Sequence, residues 1–162
     1  MRPVPPSWSI LASRTRSTSP ALKGWFAGVE KRALTLGDYA IAGLEDRCVV
    51  ERKDLPDLIR SLTVERPLFV KRLKLMSSCP HRLLVITAAL SQVKSPYRHG
   101  AGNPNRIFQF LVAVLAGLNV PFLCTDTHEL GEEAVASYLY QIHLYHWLED
   151  NDYGRFLADN DL

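Results

Sequence analysis

Two neighbouring segments in the first third of the chain have the residue pattern of a β-hairpin. Residues 38–42 (DYAIA) and 47–53 (RCVVERK) are short and rich in β-branched or aromatic residues, which favours strands. The four residues between them, 43–46 (GLED), begin with glycine and are typical of a turn. The pattern therefore predicts two strands joined by a four-residue turn.

Apolar residues at helical spacing begin directly after this hairpin. Asp54 is suited to cap a helix that carries Leu55, Leu58 and Leu62 on one face, and Pro67 suits the start of a second helix. Further strands are predicted at 8–12, 29–36, 83–89 and 120–125, helices at 105–118 and 128–149, and a flexible loop at 94–104. The alternation of strands and helices after residue 53 predicts an α/β fold with a mixed central sheet flanked by helices.

The chain is long enough for one domain with a sizeable core, which we place at residues 8–149. Residues 1–7 are proline-rich and predicted to be disordered, and residues 150–162 are predicted to form an acidic tail. The apolar run 107–124 is interrupted by polar residues and proline, which favours a buried helix and strand over a membrane span. The first residues lack the apolar core of a signal peptide. We therefore expect no membrane association.

Charge is unevenly distributed along the chain, although the net charge is only +2. Residues 1–128 carry eighteen Lys and Arg against nine Asp and Glu, whereas residues 129–162 carry one against eight. A basic body suits a polyanionic partner such as nucleic acid, and an ordinary mixed solvated surface explains the charge equally well. Charge alone therefore leaves both interpretations open.

The three cysteines, Cys48, Cys79 and Cys124, are far apart and form no CxxC pair. This spacing favours a reduced intracellular protein without a disulfide or a structural zinc site. The compartment would be the cytoplasm in a prokaryote or a virus and the nucleus in a eukaryote.

The predicted hairpin brings charged residues together. A four-residue turn sets the register, and counting outward from it places Asp38 opposite Glu51. Lys53 lies on the same strand face as Glu51, whereas Arg52 points to the other face and is expected to bind a neighbouring acid. Directly opposed carboxylates repel each other unless a cation lies between them, and Mg²⁺ or Mn²⁺ prefers such oxygen ligands.

This set of side chains has the chemistry that phosphodiester hydrolysis needs. Two carboxylates can hold a metal ion that polarises a phosphoryl oxygen and lowers the pKa of bound water. A lysine beside them can orient or deprotonate that water, or neutralise charge on the phosphate. The alternative for the individual residues is a turn acid at Asp38 and a solvated strand face at Glu51 and Lys53. The joint pattern favours the catalytic interpretation.

The residues around this set resemble the nuclease domain of the XPF family, within the restriction-endonuclease-like superfamily. The resemblance rests on Gly37-Asp38, then Glu51-Arg52-Lys53, then Asp57 four residues after the lysine. A basic helix around Lys71 and Arg72 and the apolar strand at 83–86 also fit, so the resemblance covers roughly residues 8–147.

The resemblance implies a restriction-endonuclease-like core that hydrolyses flapped, forked or branched DNA in repair or recombination. It implies that Asp38 and Glu51 ligate the metal, that Lys53 is the catalytic lysine, and that Asp57 supports the site. It also implies a homodimer or a heterodimer with a related subunit. The apolar and aromatic residues of the last helix, at 134–148, are expected to supply an exposed patch for that contact.

The chain departs from the family pattern in two places. Family members usually carry Asp-x-Arg-Glu after the first strand, whereas residues 12–15 here are ASRT, so that only Arg14 matches. No helix-hairpin-helix DNA-binding domain is expected after Glu149. The alternative function is therefore a catalytically inactive nuclease-fold module that binds DNA and supports an active partner, and a third possibility is a junction resolvase of the same superfold.

Other polar residues have weaker functional signals. Basic candidates for DNA contact are Arg14, Lys71, Arg72 and Arg98, and a solvated basic surface explains them about equally well. His143 and His146 lie about one helical turn apart, but no third ligand is near in the sequence, so ordinary packing is preferred over metal binding.

Overall fold

The computed structural model describes residues 8–13, 28–98 and 102–152. The predicted disorder of residues 1–7, the position of Arg14, and residues 153–162 of the predicted acidic tail lie outside these ranges. Within the described ranges, no helix combines the length and the apolar character needed to cross a membrane.

A mixed sheet is the centre of the described fold, and its strand order is β2-β1-β3-β4-β5-β6. The strands are β1 (Ser9–Ala12), β2 (Gly28–Lys31), β3 (Tyr39–Ile41), β4 (Cys48–Lys53), β5 (His81–Ile86) and β6 (Phe122–Cys124). Strand β3 runs antiparallel to both β1 and β4, whereas β2 pairs with β1, and β5 with β4 and β6, in parallel. The predicted mixed sheet is therefore confirmed.

Helices cover both faces of this sheet. They are α1 (Leu55–Thr63), α2 (Arg66–Met76), α3 (Leu90–Val93), α4 (Pro104–Leu118) and α5 (His128–Asp150). The predicted cap of α1 is confirmed, because the Asp54 carboxylate accepts a hydrogen bond of 2.8 Å from the backbone N–H of Asp57. The short helix α3 was not predicted, and the strand expected at 83–89 lies at His81–Ile86 instead.

Strand β4 separates two hydrophobic cores because its side chains alternate between the two faces of the sheet. Val49 packs with residues of α1, α2 and α4, whereas Cys48 and Val50 pack with residues of α5. The charged end of β4 continues this alternation. Glu51 and Lys53 consequently lie on the α1/α2 face, and Arg52 lies on the α5 face.

The exposed aromatic patch expected on the last helix is not found at the described residues. Every aromatic residue of 134–148 is at least half-buried. Trp8 stacks on His143 at a ring-centroid distance of 4.3 Å and lies 6.3 Å from the Tyr140 ring, and the Tyr138 hydroxyl donates to the carbonyl of Arg82. The outer side of α5 is thus partly covered by the chain before β1, which its own helical pattern could not reveal.

Candidate active site

The predicted hairpin register is confirmed at Tyr39, which pairs with Val50 across the antiparallel strands. At Asp38 the ladder departs from this register, because the backbone N–H of Asp38 donates to the carbonyl of the same Val50 at 2.8 Å, as in a β-bulge. The strand pairing does not extend to Asp38 and Glu51, so their direct opposition stays a prediction. The charge of Asp38 nevertheless acts on the Glu51 carboxyl, so the two acids lie near each other.

Gly37 makes the approach of Asp38 to β4 possible. Its φ of +75° is in the left-handed region that disfavours residues with a side chain. A Cβ atom at this position would also lie 2.4 Å from Cγ2 of Val49 and 2.9 Å from the Val50 carbonyl oxygen. Only glycine fits both conditions, which explains why Gly37 precedes the acid.

Glu51 is the most constrained charged residue of this face, with 1% of its surface exposed. Its Oε1 accepts a hydrogen bond of 3.0 Å from Arg72 and lies 3.4 Å from Nζ of Lys53. Its Oε2 is buried without a hydrogen-bond partner among the described residues. Burial, followed by the charge of Asp38, raises the pKa of the Glu51 carboxyl above 4.5, while Lys53 and Arg72 act in the opposite direction.

The Asp38 carboxylate is held just before β3 by contacts from β4 and from the residue that follows β1. Its Oδ2 accepts a hydrogen bond of 2.9 Å from the backbone N–H of Arg52, and Ser13 Oγ donates to its Oδ1 at 3.4 Å. The side chain of Lys53 is also held in place, since Nζ lies 5.2 Å from the centre of the Phe69 ring. The three charged groups therefore occupy defined positions around one small region.

These residues fit a hard divalent cation. The described residues contain no group of three or more His, Cys, Asp and Glu side chains arranged for a metal ion. Magnesium, however, often binds through only one or two carboxylates and keeps its remaining waters. Glu51 Oε2, which lacks a hydrogen-bond partner among the described residues, is suited to be such a ligand, because a buried carboxylate oxygen without a donor is costly to leave unsatisfied.

On the opposite face, Arg52 binds the acid that the sequence predicted for it. Its guanidinium lies 3.1 Å from Oε1 of Glu132 on α5 and 5.8 Å from the centre of the Tyr39 ring. His128 Nε2 lies 3.3 Å from both charged partners. The side chain of Arg52 thus ties β4 to the start of α5, while its backbone N–H holds Asp38.

The other predicted site residues are spread over the surface near α1 and α2. Lys71 and Arg98 are exposed, whereas Arg72 reaches the buried Glu51. The Asp57 carboxylate lies 3.4 Å from Arg60 on its own helix, so its supporting role in the site stays a prediction. Arg72 as a direct partner of Glu51 was not foreseen, because the sequence signal was only a basic helix.

Comparison with known proteins identifies the family. The family model described as the ERCC4 domain matches residues 22–142, which includes every charged residue of the site. The chain belongs to the ERCC4 domain family. No sequence match to a curated protein was found.

Two solved structures have the fold of this ERCC4 domain. One is XPF from Aeropyrum pernix, with a TM-score of 0.66 and 17% identity over 93% of this chain and 72% of that chain. The other is XPF from Aeropyrum pernix in complex with DNA, with a TM-score of 0.64 and 18% identity over 86% of this chain and 66% of that chain. These likenesses establish the restriction-endonuclease-like fold that the sequence resemblance implied.

The raised pKa of Glu51 gives this ERCC4 domain a testable pH dependence. The ionised carboxyl is less favourable in the folded than in the unfolded chain, so stability falls as the pH rises from 4.5 through the folded-state pKa. The variant Glu51→Gln has no such loss. We expect its melting temperature in metal-free buffer to exceed that of the wild type near pH 7, with the difference vanishing as the pH approaches 4.5. Calorimetry across this range checks the expectation, and a difference independent of pH contradicts it.

Proposed function

We propose that this chain is a divalent-metal-dependent endonuclease that hydrolyses phosphodiester bonds in DNA. The observation that carries the proposal is the buried Glu51, which lies within the influence of the Asp38 charge. Its Oε1 contacts Lys53 and Arg72, and its Oε2 has no hydrogen-bond partner in the part of the chain that the structure describes. Buried charges are normally paired and satisfied, and exceptions concentrate at functional sites. Membership of the ERCC4 domain family supports the same activity.

In the proposed mechanism, Asp38 and Glu51 hold Mg²⁺ or Mn²⁺. The cation, when bound, supplies positive charge that polarises the phosphoryl group and makes the attacking water more acidic. Lys53, whose ammonium lies 3.4 Å from Glu51, orients that water and stabilises negative charge on the phosphate. Hydrolysis forms a new P–O bond from water and breaks the bond to the leaving sugar oxygen, which takes up a proton.

Arg72 has a place in this mechanism beside the metal ligands. In the absence of substrate its guanidinium binds Glu51 at 3.0 Å, while its side chain keeps 42% of its surface exposed. A guanidinium suits both carboxylate and phosphate oxygens, so Arg72 can contact the DNA backbone from the same position. Arg72 would then share its positive charge between Glu51 and a phosphate of the DNA.

The kind of DNA is proposed from the family relationship. The relative in complex with DNA supports DNA as the partner, and the XPF-like motif favours flaps, forks or branched substrates in repair or recombination. Asp57 is proposed to support the site. A homodimer or heterodimer with a related subunit is proposed from the same resemblance, and an intracellular location is proposed from the spacing of the three cysteines.

A second candidate function is a catalytically inactive DNA-binding module that supports an active partner. It is favoured by the sequence at the end of β1, where Ala12 and Thr15 stand in place of the two acids that the family pattern leads one to expect. The hydroxyl group of Ser13 donates a hydrogen bond to Asp38, and a hydroxyl group is a weaker metal ligand than a carboxylate. The intact Glu51 and Lys53 favour the active enzyme.

A cleavage panel separates these two functions. The chain is incubated with labelled flap, fork, junction and plain duplex DNA in Mg²⁺, in Mn²⁺ and in EDTA. We expect strand cleavage of at least one branched substrate with either metal and none in EDTA. Binding without cleavage under all metal conditions would support the inactive module, and cleavage undiminished by EDTA would exclude the metal mechanism.

DNA binding is expected to be sensitive to salt and largely independent of sequence. The exposed Lys71 and Arg98 are proposed phosphate contacts, and each contact releases counterions when it forms. The double variant Lys71→Ala/Arg98→Ala should lower the slope of log affinity against log salt by about 2. Arg32→Ala is the matched control, because Arg32 pairs with Glu45 at 3.3 Å elsewhere on the surface. Equal slopes for the double variant and the wild type contradict the assignment.

A further inference from the structure

A large apolar cleft lies beside the candidate active site. It has a volume of about 650 Å³, within the range of about 300–1,000 Å³ typical of small-ligand sites, and lies between α1 and the segment around α3. Its apolar wall is formed by Leu55, Ile59, Val64, Pro96 and Tyr97. We refer to this feature as the α1–α3 cleft.

The α1–α3 cleft begins close to the end of β4, the strand that carries Glu51 and Lys53. Leu55 follows Lys53 by two residues, so their Cα atoms are at most about 7.6 Å apart. Successive phosphates of one DNA strand advance by about 3.4 Å along a duplex. A DNA strand whose phosphate lies at Lys53 therefore brings nucleotides within a few steps of the cut to the mouth of the cleft.

The polar side chains of the cleft are engaged with the protein's own backbone. The hydroxyls of Thr63, Ser95 and Tyr97 donate to the carbonyls of Ile59, Ser91 and Val93 at 2.8, 2.6 and 2.6 Å. Gln92 Oε1 accepts the backbone N–H of Ala89 at 2.8 Å. The cleft consequently presents a mainly apolar surface to a ligand. It has few free hydrogen-bonding groups with which to distinguish one ligand from another.

The charge of the cleft is positive. Two arginines, Arg60 and Arg98, are among the residues that line it, and none of the described lining residues is acidic. Arg60 is already paired with Asp57 and Glu65, whereas Arg98 is exposed at the rim. An apolar cavity with a guanidinium at its edge is complementary to a nucleobase that is followed by its phosphate.

We propose that the α1–α3 cleft binds one unpaired nucleobase of the DNA strand, next to the bond that is cut, while Arg98 contacts the adjoining phosphate. This inference rests on the proposed function and adds a substrate feature to it. A paired base must first be unstacked to enter, and that energy is smallest for a base that is already unpaired. The cleft thereby selects branched DNA over duplex without reading sequence.

Two surface variants test the cleft with a matched control. Val64 lines it and is 79% exposed, whereas Leu68, in the first turn of the neighbouring helix α2, is 61% exposed and outside the lining. Val64→Glu and Leu68→Glu add the same charge without disturbing the core.

The experiment measures binding of fluorescein-labelled flap DNA by anisotropy in metal-free buffer, with one unpaired nucleotide at a time replaced by an abasic tetrahydrofuran. For the wild type and Leu68→Glu, we expect one or two positions near the junction where loss of the base weakens binding about tenfold. Exchanging purine for pyrimidine there should change affinity much less. Val64→Glu should lose this dependence on the base.

Two results would overturn the proposal. One is equal binding of base-bearing and abasic DNA at every position, and the other is equal base dependence in Val64→Glu and Leu68→Glu. Cleavage of the same DNA in Mg²⁺ separates this failure from that of the proposed function. A wild-type protein that cuts the flap without any base dependence refutes the cleft alone, whereas one that neither binds nor cuts any substrate refutes both.

Discussion

Removal of any one charged group of the proposed centre is expected to lower DNA cleavage by about three orders of magnitude or more. The variants are Asp38→Asn, Glu51→Gln and Lys53→Met, each close in size to the residue it replaces. Metal-assisted charge stabilisation contributes several kcal/mol to such reactions, and about 4 kcal/mol corresponds to a thousandfold change in rate. Single-turnover cleavage of the best substrate from the panel measures the effect.

The three groups should act as one unit. The double variant Glu51→Gln/Lys53→Met is therefore expected to be little worse than either single variant, because effects in a catalytic unit are not additive. Glu30→Gln is the control, since it makes the same chemical change at an exposed position on β2, three strands away from β4. Glu51→Gln activity within tenfold of Glu30→Gln would refute the assignment of Glu51 as a metal ligand.

Loss of Glu132 is expected to cause the largest change in stability. Glu132 is fully buried and pairs with the buried Arg52 at 3.1 Å, so Glu132→Ala removes a counter-charge from a buried guanidinium. Breaking one side of a buried ion pair costs about 3–5 kcal/mol. In a chain of this length that corresponds to a fall in melting temperature of about 10 °C.

Comparison with two further variants isolates the cause of this loss. Glu133→Ala removes the neighbouring, exposed acid and should leave the melting temperature nearly unchanged. The double variant Arg52→Met/Glu132→Leu replaces both charges with apolar groups and should recover much of the lost stability. If Glu132→Ala and Glu133→Ala melt at the same temperature, the Arg52 pair does not stabilise the fold as proposed.

The Arg52 pair also connects stability to the proposed chemistry. The backbone N–H of Arg52 donates to Asp38, and its side chain is held by Glu132 at the beginning of α5. Movement of this residue would therefore displace a proposed metal ligand on the other face of the sheet. A buried ion pair contributes little net stability compared with an apolar pair of similar size. We therefore propose that the Arg52–Glu132 pair also serves to fix the position of Asp38.

The features that the sequence determined by itself are local. Turn length and strand alternation set which residues of a hairpin are opposed, so the pairing of Tyr39 with Val50 and the shared face of Glu51 and Lys53 followed from counting. The same alternation sent Arg52 to the opposite face. The cap at Asp54 and the helix that follows were likewise readable, because hydrogen bonds between neighbouring residues form them.

The long-range contacts of these residues depend on the tertiary structure alone. Arg72 reaches Glu51 from 21 residues away, and Glu132 reaches Arg52 from 80 residues away. Trp8 covers α5 from the other end of the chain, which removed the exposed patch expected there. Contacts between elements depend on how the elements pack and on the side chains that fill the space between them. Hydrophobic periodicity specifies only which face of each element is buried.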